Sequence, residues 1–124
     1  MDIAENQRDP LTGLLNRLGL EAALQEFDTL GRRGLTLFSV QIARFGHINS
    51  SLGGEIADRI ITLTARRLQK TFPNARHIAR THGDHFCLLF EGLDAVEETI
   101  ERLDDFTRRP FAVLGEIIVL SVRS

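Results

Sequence analysis

Two strand-like runs, residues 76–81 and 85–91, are joined by a tight turn at Gly83-Asp84, and each is continued by one amphipathic stretch. Glycine accepts a positive φ without steric cost, so the turn pins the two runs as an antiparallel hairpin. Upstream, Ile56, Ile60, Leu63 and Leu68 recur on one helical face with Arg59, Thr62, Arg66 and Gln69 opposite, and the pattern stops before Pro73. Downstream, Asp94 and Glu97 make a capping-box-like start to a helix that turns Val96, Ile100, Leu103 and Phe106 inward and ends at Pro110. Residues 35–43 are short and apolar and read as a central strand covered on both faces, with Leu37, Ser39, Gln41 and Ala43 on one side. Residues 111–114 and 117–122 read as a final hairpin turning at Gly115-Glu116. A leading helix starts at the N-cap Asn16, carries Leu20, Ala23, Leu24, Phe27 and Leu30 at helical spacing, and is stopped by Gly31 and Gly34. Apart from that helix the order is strand, helix, strand, strand, helix, strand. The expected fold is an α+β sandwich of the ferredoxin-like βαββαβ kind, with helices packed on a central mixed, mainly antiparallel sheet.

That fold serves many functions, so chemistry must be read from residues. The 124 residues, 43% of them hydrophobic, suffice for one domain. A net charge of −2 excludes the broad basic field that drives non-specific binding to nucleic acid or anionic membranes, and leaves a small nucleotide as a compatible partner. The lone Cys87 excludes an internal disulfide and a cysteine metal cluster. Its apolar setting reads as a buried small hydrophobe of a cytoplasmic protein. No segment approaches the ~20 apolar residues that span a bilayer, so this segment is expected to make no membrane contact. Residues 1–8 are polar and read as a lead-in from something upstream, with the domain proper at 9–124.

Three stretches carry a resemblance. Asp9-Pro10-Leu11-Thr12-Gly13-Leu14-Leu15-Asn16-Arg17 matches D-x-L-T-G-L-x-N-R, the entry signature of the GGDEF family, at every defined position. Phe45-Gly46-His47-Ile48-Asn49, followed by Gly53 and Asp58, is similar to the family's F-K-x-I-N-D-x-x-G-H-x-x-G-D segment. Arg80-Thr81-His82-Gly83-Asp84-His85-Phe86 falls where the family has R-x-G-G-D/E-E-F. The resemblance implies a diguanylate cyclase relative, in which two GTP-loaded domains meet face to face and each 3′-hydroxyl attacks the other's α-phosphate. Such phosphoryl transfer depends on positioning and on Mg²⁺ held by carboxylates. It further implies that Gln41 and Ala43 stand at two acidic positions, Gly46 at a phosphate-contacting lysine, and His85 at the glutamate of the naming motif. Only Asp84 keeps its carboxylate, a weak, residual metal ligand, so the degenerate motif His82, Gly83, Asp84, His85 and Phe86 is expected to be catalytically silent. Asn49 and Asp58 match the family's guanine-binding residues and favour guanine over adenine. Against this stand two structural readings, Asn49 as a cap of the following turn and Asp58 as a first-turn acid favoured by the helix dipole. The product-inhibition motif R-x-x-D is replaced by Pro73-Asn74-Ala75-Arg76, so feedback binding there is not expected. The family domain runs on through another helix and strand, which implies that this chain lacks its C-terminal end.

The resemblance therefore implies a catalytically inactive, regulatory GGDEF domain of a bacterial cyclic di-GMP signalling protein. It would bind GTP, with Mg²⁺ accompanying the nucleotide, and would control a neighbouring EAL phosphodiesterase domain. A homodimer is compatible. The alternatives are a weakly active cyclase, a purely structural dimerisation domain, and an unrelated ferredoxin-like interaction module. Among other clusters, His82, Asp84 and His85 crowd one turn and could suit Zn²⁺, against a plain hairpin tip. His47 and His77 have no acidic or nucleophilic neighbour in sequence and read as surface or packing residues. The run from Phe86 to Phe90 lacks the basic start of an RNA-binding strand and reads as sheet core. The pairs Arg66-Arg67 and Arg108-Arg109 read as solvated charge near helix C-termini, or alternatively as a domain contact.

Overall fold

The computed structural model describes residues 5–29, 35–91, 96–108, 111–113, 116–118 and 120–123. Gly83 takes φ 48°, as the hairpin needs. Around it β2 (His77–His82) pairs antiparallel with β3 (His85–Glu91). β1 (Leu35–Ile42) lies on the other side of β3, and β6 (Leu120–Arg123) on the outer edge of β1, giving the order β2-β3-β1-β6. Every neighbouring pair in this sheet is antiparallel, so the expected mixed sheet is corrected. The reason is topological. The crossover from β1 to β2 lands one strand beyond β3 and never beside its own start. The order is the ferredoxin-like one.

α3 (Gly54–Thr71) and α4 (Val96–Arg108) cover one sheet face. Ile60, Ile61, Leu68, Leu103 and Phe106 close there over Phe38, Val40 and Ile42 of β1 and Phe86, Leu88 and Phe90 of β3. Phe72 joins the cluster edge-on to Phe90 and Phe106, with ring centroids 6.3 and 5.7 Å apart, the arrangement that aromatic quadrupoles favour. The run from Phe86 to Phe90 is thus core, as its composition implied. On the opposite face α1 (Arg17–Thr29) sets Leu20 and Ala23, with Leu15, against Ala79 and Cys87.

Several expectations change. Among the described residues β1 is not fully covered on both faces: α1 packs over β2 and β3, and Leu37 stays 40% exposed. On α4 the inward stripe is Thr99, Leu103 and Phe106, and Ile100 is 49% exposed, because a stripe anchored on Leu103 and Phe106 continues at position 99 rather than 100. On α1, Leu24 is likewise exposed. The segment after β1 contains a helix the periodicity did not signal, α2 (Phe45–Leu52), eight residues long with no fully buried side chain. The terminal strands are also redistributed. β4 (Phe111–Val113) and β5 (Glu116–Ile118) make a separate two-stranded sheet, and the rest of the expected second strand joins the main sheet as β6. Arg67 is not plain solvated charge, since its guanidinium lies 4.8 Å from the centroid of the Phe106 ring. The expected stops at Gly31, Gly34, Pro110 and Gly115, with Leu30, Asp94 and Arg109, lie outside the described residues. No described helix is long and apolar enough to cross a membrane.

Candidate functional site

The entry signature builds a tight loop whose polar groups are consumed internally. The Asp9 carboxylate accepts from the backbone N–H and the hydroxyl of Thr12 at 2.9 and 2.7 Å. The N–H of Gly13 donates to the Asp9 carbonyl at 2.8 Å, and Gly13 holds φ 76°, a conformation that a side chain would strain. Asn16 caps α1 as expected, its Oδ1 accepting from the Gly19 N–H at 2.9 Å, while its Nδ2 donates to the Asn6 carbonyl at 2.8 Å. Gly19 has no room for a side chain, because an added Cβ would lie 2.4 Å from the carbonyl oxygen of Gln7. Residues 6–8, read from composition as a lead-in, are thus hydrogen-bonded to the loop, with Arg8 also bridging to Leu15.

This loop is tied to the hairpin twice. Leu15 pairs with β2, its N–H donating to Ile78 at 3.3 Å and its carbonyl accepting from Arg80 at 2.8 Å. Arg80 also sends Nη1 to Asp9 at 3.1 Å and Nε to the Gly83 carbonyl at 2.8 Å. The side chains of the ion pair are 17% and 13% exposed, so water screens it little. The two family motifs, 71 residues apart, therefore meet at one guanidinium.

Three sequence-flagged positions line up across the hairpin end of the sheet. His82 pairs with His85, and His85 lies directly opposite Gln41, which puts the three on one sheet face; Ser121 is next in register on β6. The His82 and His85 rings stack with centroids 4.3 Å apart at 26°. Asp84, 16% exposed, brings Oδ1 within 3.7 Å of His85 Nε2. The Asp84 carbonyl accepts from the Ile42 N–H at 3.3 Å, which fixes the turn against the end of β1. Among the described residues no three His, Cys, Asp or Glu side chains gather to hold a metal ion. The Zn²⁺ reading of His82, Asp84 and His85 thus gains no ligand set. Phe86, the last motif residue, is fully buried core.

Beyond β1, Arg44 adopts φ 58° and ψ 30°, the left-handed region that non-glycine residues rarely occupy. It begins α2 with no side-chain cap bond, so among the described residues no cap satisfies the first-turn N–H groups. Gly46 is exposed on that turn, with open space where a Cβ would stand. Asn49 and Asp58 are both exposed, and neither side chain makes a hydrogen bond or ion pair among the described residues. The capping reading of Asn49 is corrected, whereas Asp58 is a solvated acid near the start of α3, just past its first turn. α3 is capped at Gly53 with no side-chain bond, so Asn49 is not its cap; its carbonyl merely accepts from Gly53 at 3.1 Å. The acid in the first turn of α3 is Glu55, and Asp58 lies one residue beyond the first turn.

Two cavities, of about 320 and 210 Å³, lie instead around the start of β2 and share Leu15, Arg76 and His77. Neither is lined by Asn49, Asp58 or Asp84. His77 is lowered from the usual histidine value by burial and then by Arg76, against the pull of Glu26. Burial raises the Cys87 thiol, with a hydrogen bond from Thr81 acting the other way. His47 is exposed. The Arg80 clamp and the Arg44 backbone were not singled out as site features from sequence. Pairing the two motif signatures could have found the first, and an arginine gives no signal for the second.

The family described as "Diguanylate cyclase, GGDEF domain" matches residues 6–122. The cyclic di-GMP phosphodiesterase NbdA of Pseudomonas aeruginosa is 30% identical over 118 residues, covering 91% of this chain and 15% of that protein. The probable diguanylate cyclase DgcC of Escherichia coli is 36% identical over 91 residues, 71% of this chain and 24% of the relative. The chain thus spans less than a quarter of either length. Among solved structures, the diguanylate cyclase SiaD of P. aeruginosa, in complex with its activator SiaC, is similar at TM-score 0.77 and 28% identity. That match covers 93% of this chain and 47% of that one. The FimX GGDEF domain of P. aeruginosa shares the fold at TM-score 0.73 and 23% identity, over 94% of this chain and 76% of that one.

Proposed function

The chain belongs to the GGDEF diguanylate cyclase domain family, and from that premise we propose that it is a member that no longer makes cyclic di-GMP and serves as a GTP-responsive regulatory domain. The observation that carries this reading is a contrast among the positions that match the family's site. The positions that must bring carboxylates to a metal hold Gln41, Ala43 and His85, and Gly46 stands where a lysine would meet phosphate. Yet Asn49 and Asp58, suited to the guanine edge, are exposed, and their side chains make no bond among the described residues. An amide and a carboxylate together can accept from the ring N–H and amino group of guanine and donate to its carbonyl, which adenine cannot match. In this reading the motif residues His82, Gly83, Asp84, His85 and Phe86 shape the hairpin and do no chemistry, and Asp84 is the one acidic remnant.

The domain is further proposed to act in the cytoplasm within a longer cyclic di-GMP protein, passing its nucleotide state to a neighbouring EAL phosphodiesterase domain, alone or as a homodimer. The likeness to a much longer protein named a cyclic di-GMP phosphodiesterase supports that placement. Residues 9–124 are the proposed GGDEF portion. A turnover assay tests the loss of synthesis: with GTP and Mg²⁺, no cyclic di-GMP is expected above a protein-free control, and steady product formation that vanishes in Asp84→Ala would overturn it.

A further inference from the structure

Resting on the proposed GTP site, we infer that this domain takes the nucleotide without a divalent cation of its own, so that free GTP and its Mg²⁺ complex are equivalent ligands. Mg²⁺ demands several oxygen ligands in near-octahedral order, and the residues here do not supply them. Across the sheet end the register row reads His82, His85, Gln41, Ser121, without a carboxylate. Ala43, one residue past β1, has no side-chain oxygen. Asp84 is the single acid of the hairpin turn, and its Oδ1 faces the His85 imidazole at 3.7 Å. Imidazole is a poor partner for so hard a cation.

The same exchanges change what a polyphosphate meets. In a site with several carboxylates the metal is needed to bridge like charges, ligand and protein alike. Here Gln41, Ala43 and His85 add no negative charge. The junction offers the uncapped first turn of α2, whose N–H groups attract anions, together with the exposed Arg44. An anionic tail can therefore be received directly, and the guanine contacts at Asn49 and Asp58 do not involve a metal.

Two measurements test this on the chain as it stands. In the first, Mn²⁺ alone is added to isotope-labelled protein and paramagnetic broadening is read amide by amide. No focal loss of signal is expected at residues 41–46 or 82–86, and focal broadening there at equimolar Mn²⁺ overturns the inference whether or not GTP binds. A folded Q41D/A43D/H85E variant, its fold checked by its own amide spectrum, is expected to acquire that broadening; failure to do so means that these three residues are not what excludes the metal. In the second, GTP is titrated in Mg²⁺ and again in EDTA. Affinities equal within about threefold are expected, whereas a loss of about tenfold or more in EDTA overturns the inference and leaves the GTP reading standing. Absence of binding in both buffers overturns the GTP reading and the inference together.

Discussion

The entry loop with its hairpin clamp and the corner between β1 and α3 are built from the same family signatures, yet they are held in opposite ways. In the clamp, Asp9, Thr12, Gly13, Asn16 and Arg80 all spend their polar groups on one another or on the neighbouring backbone. At the corner, Asn49 and Asp58 are exposed and their side chains make no such bonds among the described residues, and Arg44 holds an unusual backbone with no side-chain cap. A full match to the entry signature therefore speaks to fold, because that signature describes a self-satisfied structural knot. Function has to be judged at the corner, where the fold itself does not require polar residues.

This contrast is broken most forcefully at the clamp. Arg80→Ala leaves the Asp9 carboxylate largely buried without its cation and frees the Gly83 carbonyl, and is expected to cost about 2 to 3 kcal/mol in urea denaturation. A change below about 0.5 kcal/mol would mean that the motifs meet without depending on each other. At the corner the large effect should appear in binding: Asn49→Ala or Asp58→Ala is expected to weaken GTP by about tenfold or more in a fluorescence competition titration. Asn16→Ala, which removes the α1 cap and the tie to residue 6, should lower stability by about 1 kcal/mol. The corner variants should change thermal stability by no more than about 0.5 kcal/mol, and a larger loss would make Asn49 or Asp58 structural after all.

The smallest effect concerns pH beside the clamp. The folded His77 lies below the usual histidine value, so the unfolded chain binds more protons as pH falls from about 6.5. Stability should therefore decline as pH drops through that window toward the folded value. His77→Gln should flatten the decline in pH-dependent melting curves, and an unchanged slope would place its origin in another group.

What could be read from the sequence follows from how local each signal is. The Gly83 turn, the Asn16 cap and the α3 stripe through Ile60 and Leu68 rest on neighbours in sequence or on a long period, and they were legible, although Ile61 is buried beside them and Ile56 and Leu63 only partly so. α2 was not, since eight residues with no fully buried side chain leave no stripe to detect. The phase of α4 was off by one residue because Thr99 takes an inward place that its polarity disguises. The uneven cover of β1 depends on where α1 docks, which only the tertiary packing determines. In the site, residue types were visible throughout, whereas the row of His82, His85 and Gln41 needed strand register, and the left-handed Arg44 has no compositional mark.

The most direct measurement is a calorimetric titration of this domain with GTP, with ATP as the control. Saturable heat with GTP and none with ATP, lost in Asn49→Ala and in Asp58→Ala, is the expected result. Equal affinity for both nucleotides, or no heat with either, would contradict a guanine site at Asn49 and Asp58 and leave the domain a structural relay.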